Sequence, residues 1–181
     1  MAMTKSAPSP LRAPQRLSQL LNFRLQVLFA LSGAPVVRML EGRHGITRRE
    51  WRLLARLAET GPLSPSALAE AAQLDRARTS RAIGLLTSKN LVSRTPEARD
   101  PRRAVVTITA SGLELYARIF PDVAQLNAQL VDVLDDEQLR VLDGALERMT
   151  AQARLLNQQV ATEIKALRQA GGSRRLHPNE A

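Results

Sequence analysis

Residues 64–94, SPSALAEAAQLDRARTSRAIGLLTSKNLVSR, decide the fold of this 181-residue chain. Ser64 is placed to cap a short helix that has Pro65 at its first position, where a missing N–H costs nothing. A tight connection then leads to Asp75, which caps a second helix that ends near Asn90. Two capped helices joined by so short a link predict a helix-turn-helix.

The flanking segments extend this unit into a winged helix-turn-helix. Upstream, Thr47 and Glu50 form a capping-box pair that predicts the start of another helix. Downstream, the apolar period changes from helical to alternating in 91–94 and 104–108, two segments rich in β-branched residues. The charged, proline-containing segment 95–103 lies between them, which predicts a two-stranded hairpin with a charged tip.

Long helices are predicted on both sides of this module. Apolar residues recur at helical spacing over 17–40, and we expect Gly33 and Pro35 to disturb that helix because proline removes a backbone donor. After the hairpin, Thr109 is placed to cap a further helix, which we expect to be interrupted around Pro121.

The last predicted helix, capped by Asp135, carries a narrow apolar stripe. Its residues are spaced alternately by three and four: Leu139, Leu142, Leu146, Met149, Ala153, Leu156 and Val160. A stripe this narrow and sustained resembles the seam of a coiled coil more than the broad face of a helix on a globular core. Pairing with a second chain is the favoured interpretation, and packing against the first helix of the same chain is the alternative.

The predicted fold class is therefore mainly α with a small β-hairpin wing, a winged helix-turn-helix flanked by N- and C-terminal dimerisation helices. The expected organisation is a disordered tail over 1–14, a dimerisation helix over 15–45, the winged helix-turn-helix DNA-binding module over 46–108, dimerisation helices over 109–170 and a second disordered tail over 171–181. Prolines and small polar residues near the start and two glycines near the end suggest the tails.

Charge is distributed unevenly along the chain. Lys and Arg number 26 and Asp and Glu 17, which gives a net charge of +9, and 23 of the basic residues are Arg. Residues 43–103 carry +7, residues 1–42 carry +4 and residues 104–181 carry −2. A basic block beside an acid-leaning segment indicates a module that binds a polyanion. A coding bias toward arginine would explain the ratio of Arg to Lys but not this distribution.

Composition also excludes several classes of protein. The nearly apolar stretch between Arg24 and Arg38 has 13 residues, short of the ~20 that span a bilayer, so no membrane insertion is expected. The N-terminal residues lack the apolar segment of a secretory signal, and the cytoplasm is the expected compartment. The chain has no cysteine, no HExxH motif and no phosphate-binding glycine loop. We therefore expect neither an enzyme nor a cofactor or metal.

The second helix of the helix-turn-helix is predicted to offer a nearly bare face to DNA. At about 100° per residue, one side collects Thr79, Ala82, Ile83 and Leu86, and the opposite side collects Ala77, Ser80, Arg81, Gly84 and Ser88. Small side chains allow a helix to approach a major groove about 12 Å wide. Arg81 is suited to guanine or phosphate, and Arg76 and Arg78 flank the face at its N-terminal end. Ser64 and Ser66 complete the DNA contacts expected in this region.

Two further features support DNA binding, each with an alternative. Gly84 costs ~1 kcal/mol in a helix, which close approach to DNA would explain, as would close packing of another helix. In the wing tip Arg99, Arg102 and Arg103 fit a minor groove, where negative potential is concentrated. Asp100 would brace a neighbouring arginine there. The alternative is a charged loop that is merely solvated.

With these residues in view, the chain resembles the MarR family of bacterial transcriptional regulators over about residues 17–156. The motifs that carry the resemblance are LSPSALAEAAQLD at 63–75, NLVSR at 90–94, and Asp100-Pro101-Arg102 placed before the ITASG segment at 108–112. The resemblance implies a homodimer whose first and last helices intertwine. It also implies a recognition helix in the major groove and Arg102 in the adjacent minor groove of a pseudo-palindromic operator in double-stranded DNA.

The same resemblance implies repression that small aromatic acids or phenolic compounds relieve. Arg24, Arg38 and His44 are candidates to bind the carboxylate or phenol of such an effector, although a lone histidine is more often a structural hydrogen-bonding residue. The alternative within the same fold is a regulator that binds DNA independently of any ligand. A purely structural interaction protein that uses the final helix would not need the basic hairpin. An enzyme is disfavoured because the sequence has no Ser/His/Asp pattern and none of the motifs named above.

Overall fold

The computed structural model of the protein describes residues 9–96 and 104–164. After a 3-10 turn, Leu17–Gln19, the described elements are α1 (Leu21–His44), α2 (Arg48–Thr60), α3 (Pro65–Ala71), α4 (Arg76–Ser88), β1 (Val92–Pro96), β2 (Ala104–Ile108), α5 (Ala110–Val131) and α6 (Asp136–Glu163). This order confirms the predicted fold class of a helical protein with one small hairpin. Residues 1–8 and 171–181, which make up most of the two expected tails, lie outside the described residues.

The chain forms two compact units, one ending at Gly45 and one beginning at Ile46. In the first, α1 runs without a break through Gly33 and Pro35, so the expected disturbance is wrong. Proline removes one backbone hydrogen bond, and the bonds on either side of it keep the chain helical. The predicted start is also corrected, because the α-helix begins four residues after Leu17.

α1 is a long, apolar helix of 24 residues. By length and composition alone, this helix meets the requirements for crossing a membrane. The expectation of no membrane insertion rested on the 13 residues between Arg24 and Arg38, which form only part of the helix. Core helices of soluble proteins meet the same requirements.

The helix starts of the second unit follow their predicted caps. At α2, the Thr47 side chain accepts from the Glu50 backbone N–H at 3.2 Å, and the Thr47 N–H donates to Glu50 Oε2 at 2.7 Å. The side chains of Ser64, Asp75 and Thr109 each accept a backbone N–H three residues ahead. Local side-chain chemistry therefore defines where these helices begin.

The connections around α4 are made by residues in the left-handed region. Gln73 has a φ of 53° in the link before α4, and Asn90 has a φ of 57° after it. The Leu74 N–H donates to Ala69 O at 2.9 Å, which closes the end of α3. Asn90 thus ends the helix as predicted, and the turn between α3 and α4 is tight.

The hairpin is anchored to the helices beside it. β1 and β2 pair antiparallel from Val92 with Ile108 to Pro96 with Ala104. Leu63, just before α3, makes a further two-bond bridge with Val106, at 3.1 and 2.8 Å. The wing base is therefore continuous with the helix-turn-helix. The fully buried side chains of this unit include Leu53, Leu54, Leu57, Leu68, Leu86, Val92, Val106 and Ile119.

The C-terminal helices differ from expectation in one respect. α5 runs without interruption through Pro121, so the predicted break there is wrong for the same reason as at Pro35. In the part of the chain that the structure describes, no residue of α6 is buried. The apolar stripe is largely exposed, with Leu142, Leu146, Met149, Leu156 and Val160 each at least 37% exposed.

Candidate nucleic-acid interface

The two faces of α4 separate as predicted. The residues that the structure buries are Thr79, Ala82, Ile83 and Leu86. The residues of the bare face, which are exposed, are Ala77, Ser80, Arg81, Gly84 and Ser88. α4 is held by packing on one side and presents small side chains with one central arginine on the other.

Arg78, at the N-terminal end of α4, has a defined anchor. Asp75 caps the helix by accepting from the Arg78 N–H at 2.8 Å, and its other carboxylate oxygen lies 3.2 Å from Arg78 Nε. This pairing orients the Arg78 side chain, which stays largely exposed. Arg76 and Arg81 are exposed as well. Three guanidinium groups thus lie on or beside the bare face within two turns of helix.

Gly84 lies on open surface. Apart from the backbone of its own helix and its chain neighbours, no heavy atom of the described residues lies within 4 Å of where a Cβ would stand. Close packing of another helix, the alternative explanation for this glycine, therefore finds no support within the described chain. This glycine leaves the backbone of α4 open to the outside of the described chain, at a cost in helix propensity.

The two serines proposed as DNA contacts differ in their surroundings. Ser64 is half-buried and its hydroxyl oxygen accepts from the Ala67 N–H at 3.2 Å, so its first role is to cap α3. Ser66 is exposed on the first turn of that helix. Of the two, Ser66 is the better placed to reach a phosphate.

The remaining predicted DNA contacts belong to the wing tip. Arg99, Asp100, Arg102 and Arg103, all predicted to act there, lie outside the described residues. The described base of the wing contributes an exposed Arg94 on β1.

Leu85 is a residue of this surface that the sequence analysis missed. It is 52% exposed, next to Gly84, although its neighbour Leu86 is fully buried. A leucine outside the buried stripe of an otherwise bare, cationic helix was the available signal. An exposed aliphatic group beside a major groove can contact a thymine methyl group.

Some of the arginines in residues 43–103 stabilise the fold by bonding backbone carbonyl groups. On α2, Arg56 Nε donates to Ala71 O at 3.0 Å and Arg52 Nη1 to Ala72 O at 3.4 Å. These carbonyls end α3, so the two arginines stabilise the turn that leads into α4. Burial, together with the nearby charge of Arg48 and Arg49, lowers the pKa of Arg52.

A buried carboxylate in the same unit was also missed. Glu50 is 1% exposed, and its Oε1 lies 2.7 Å from Nζ of Lys89 at the end of α4. Burial alone would raise the pKa of Glu50, but hydrogen bonds from Lys89 and Thr47 outweigh it and hold the pKa below its ordinary value. Lys89 therefore sits beside an ionised carboxylate.

The three effector candidates are spread along α1. Arg24 and Arg38 are exposed, and His44 is half-buried at the end of the helix. At a rise of about 1.5 Å per residue, Arg24 and Arg38 are about 21 Å apart along the axis. One small aromatic acid could not contact both, so the trio does not form a single binding site on one helix.

An aromatic cluster on the second unit joins α2 to α5. The rings of Trp51 and Tyr116 stack with centroids 5.5 Å apart, and Tyr116 and Phe120 follow at 5.6 Å. Trp51 is buried and Phe120 is half-exposed. The cluster therefore ties the middle of α5 to the first turn of α2.

Comparison with known proteins agrees with this geometry. A family model described as "MarR family" matches residues 44–103. The HTH-type transcriptional regulator FarR of Neisseria gonorrhoeae is 30% identical over 104 residues, which cover 58% of this chain and 71% of that protein. The putative transcriptional regulatory protein for the hcr operon of Thauera aromatica is 30% identical over 115 residues, 64% of this chain and 69% of that protein. The homoprotocatechuate degradative operon repressor of Escherichia coli is 26% identical over 117 residues, with coverages of 65% and 76%.

Solved structures share the fold over most of the chain. MepR of S. aureus, solved as a DNA complex, matches with a TM-score of 0.68 at 21% identity and covers 74% of this chain and 98% of that one. BpsR of Bordetella bronchiseptica, described as regulated in its DNA binding by 6-hydroxynicotinic acid, matches with a TM-score of 0.68 at 20% identity and coverages of 76% and 97%. At these identities the likeness shows the fold.

Proposed function

The chain belongs to the MarR family of transcriptional regulators, and from that membership we propose that it is a cytoplasmic, homodimeric, sequence-specific repressor released from DNA by a small aromatic or phenolic ligand. Members of this family are DNA-binding proteins and not enzymes. The finer features of the proposal are DNA contact through α4, assembly through the terminal helices and release by a ligand.

The bare face of α4 is the observation that carries the proposal. Its small side chains leave room for the helix to enter a major groove about 12 Å wide. Arg81 stands at its centre as a two-pronged donor for guanine or phosphate, and Arg76 and Arg78 flank it. The open space beside Gly84 allows the helix backbone to approach the DNA closely.

The exposed stripe of α6 supports a homodimer. Leucines and a methionine at coiled-coil spacing are exposed along a helix of 28 residues, where an apolar seam is stable only when covered. A second copy of the same chain offers the same stripe, and two-fold pairing is the commonest way for such a surface to be buried. A two-fold dimer would present two α4 helices to an operator of matching symmetry.

An aromatic or phenolic effector is supported by the names of the similar proteins. One relative is a repressor of a homoprotocatechuate degradative operon, and one structural neighbour responds to 6-hydroxynicotinic acid. Arg24, Arg38 or His44 would supply the polar contact, each at a different level of α1. The alternative, a regulator of the same fold that binds DNA without a ligand, predicts the same DNA contacts.

The test begins with a duplex that the protein itself selects from a random-sequence pool. The protein, bound to that labelled duplex, is titrated with aromatic carboxylic acids and phenols, and with cyclohexanecarboxylic acid as a non-aromatic control. Release by an aromatic compound and not by the control is the expected result. Release by none would favour the ligand-independent regulator, and failure to enrich any duplex would contradict sequence-specific binding.

A further inference from the structure

We propose that Glu50 is a positioning residue for DNA binding. Through its ion pair with Lys89, it sets the orientation of α4. This inference rests on the proposed function of α4 as the recognition helix. Glu50 lies on the first turn of α2 and Lys89 directly after α4, 39 residues later. The pair therefore joins two helices that the sequence keeps far apart.

Both oxygens of the Glu50 carboxylate are engaged. Oε1 accepts from Lys89 Nζ at 2.7 Å, and Oε2 accepts from the Thr47 N–H at 2.7 Å. The side chain is 1% exposed, and a carboxylate that has lost its water is stable only where such partners replace it. The ammonium of Lys89 consequently has one defined position relative to the start of α2.

That position lies at the junction between the recognition helix and the wing. The Lys89 N–H donates to Leu85 O at 3.1 Å, Asn90 follows in the left-handed region, and β1 begins at Val92. A shift of Lys89 would therefore move the C-terminal end of α4 together with the start of the wing.

Polar side chains of α2 thus bond the chain on both sides of α4, at the end of α3 and directly after α4. Before α4, Arg52 and Arg56 of α2 bond the carbonyls that end α3. After α4, Glu50 of the same helix holds Lys89. Two fixed ends determine the angle at which the bare face is presented, and a small error in that angle would misplace every side chain that reads a base.

Lys89 has a competing role that makes the inference testable. As a lysine at the end of a recognition helix it could contact a phosphate directly. Direct contact predicts that removing Glu50, a nearby negative charge, strengthens DNA binding. Positioning predicts the opposite sign, because without the ionised carboxylate Lys89 is no longer held.

The experiment compares Glu50→Gln, Lys89→Met and the double variant with the wild type, on a duplex that the wild type has selected from a random pool. Gln can still form the capping box. Glu50→Gln therefore removes the negative charge from the ion pair with Lys89 and keeps the start of α2. Glu59→Gln is the matched control, because Glu59 is on the same helix and is 45% exposed. Its pairing at 3.0 Å uses Nη1 of Arg56 and not the Nε that donates to Ala71 O. Dissociation constants are measured by fluorescence anisotropy over a range of salt concentrations.

Each single variant is expected to weaken binding about tenfold, and the double variant no more than either, since the two residues form one pair. The dependence of log Kd on log salt should keep the wild-type slope in all of them. Glu59→Gln should bind like the wild type. Circular dichroism confirms folding, and if Lys89→Met does not fold, Glu50→Gln alone decides the sign. Lys89→Arg keeps the positive charge and should bind with an affinity near that of the wild type.

Tighter binding by Glu50→Gln would overturn the inference, as would a salt slope reduced by about one in Lys89→Met, the mark of a lost phosphate contact. Wild-type affinity in both single variants would overturn it too. These results differ from failure of the proposed function itself, in which the wild type would enrich no duplex.

Discussion

Gly112 lies directly against the backbone carbonyl of Leu91, so close that a Cβ at residue 112 would overlap that oxygen. The contact joins the first turn of α5 to the end of the segment that follows α4. Thr109 strengthens the same junction by donating its hydroxyl to Asn90 O at 2.8 Å and its N–H to Leu91 O at 3.1 Å. The start of α5 is thus fixed to the base of the wing through the main-chain carbonyl groups of Asn90 and Leu91.

Gly112→Ala should therefore destabilise the protein. The added methyl group must displace main-chain atoms, and overpacking of this kind costs about 1–3 kcal/mol. Thermal unfolding followed by circular dichroism measures the effect. Gly42→Ala is the control, because within the described residues no side chain or neighbouring backbone approaches that position, and alanine favours the helix. Equal melting temperatures for wild type and Gly112→Ala would show that the junction can relax.

Gly84→Leu should abolish operator binding without loss of stability. The space around the Cβ position of residue 84 is open, and leucine raises helix propensity by almost 1 kcal/mol relative to glycine. On DNA, the larger side chain would hold α4 away from the groove. Binding and thermal unfolding are measured on the same preparation, with Gly84→Ala as the small-residue control. A large drop in melting temperature would instead indicate that close packing of another helix is the reason for this glycine.

Arg81→Ala should weaken binding and also relax sequence preference. A bidentate arginine contact to guanine is worth about 1–3 kcal/mol of discrimination. The ratio of affinities for the selected duplex and for single-base variants measures that loss. Arg140→Ala is the control, because Arg140 is exposed on α6 and pairs there with Glu137. If Arg81→Ala lowers affinity for all duplexes equally, Arg81 contacts phosphate instead of a base.

Met149→Glu should dissociate the proposed dimer. Met149 lies in the middle of the exposed stripe of α6, and a charge there would be buried in a paired seam. Gln158→Glu introduces the same charge on the opposite face of the same helix and should leave the dimer intact. Analytical ultracentrifugation measures both. An unchanged sedimentation coefficient for Met149→Glu would place the dimer contact elsewhere.

Stability should fall in acid through Glu50. Hydrogen bonds from Lys89 and Thr47 hold its pKa below the ordinary value of 4.5 despite burial. A depressed pKa contributes stability above the unfolded-state value and loses that contribution as pH falls through the folded-state value. The melting temperature of the wild type should therefore exceed that of Glu50→Gln at neutral pH, and the difference should shrink below about pH 4.5. A constant difference would show that Glu50 does not titrate in this range.

Features encoded by short-range chemistry were predictable from the sequence. The caps at Thr47, Ser64 and Asp75 depend on residues three positions away, and the buried stripe of α4 follows from helical periodicity. The fold class and the bare face were predicted on these grounds.

Features that depend on contacts distant in sequence were not predictable. The ion pair of Lys89 with Glu50 is one example, because nothing near Lys89 in the sequence points to a carboxylate 39 residues away. Arg52 and Arg56 likewise find their acceptors only once α3 has packed on α2. The disturbances expected at Pro35 and Pro121 followed from the local effect of proline on helix hydrogen bonding. The surrounding helices are long enough to tolerate one missing hydrogen bond.

The most direct test of the central claim, that a two-fold dimer reads DNA through the bare face of α4, is selection of duplexes from a random pool by the wild-type protein followed by sequencing. The account predicts an enriched inverted repeat whose half-site centres lie about one helical turn, roughly 10 bp, apart. Enrichment of no motif, or of a single half-site without its inverted copy, would contradict it.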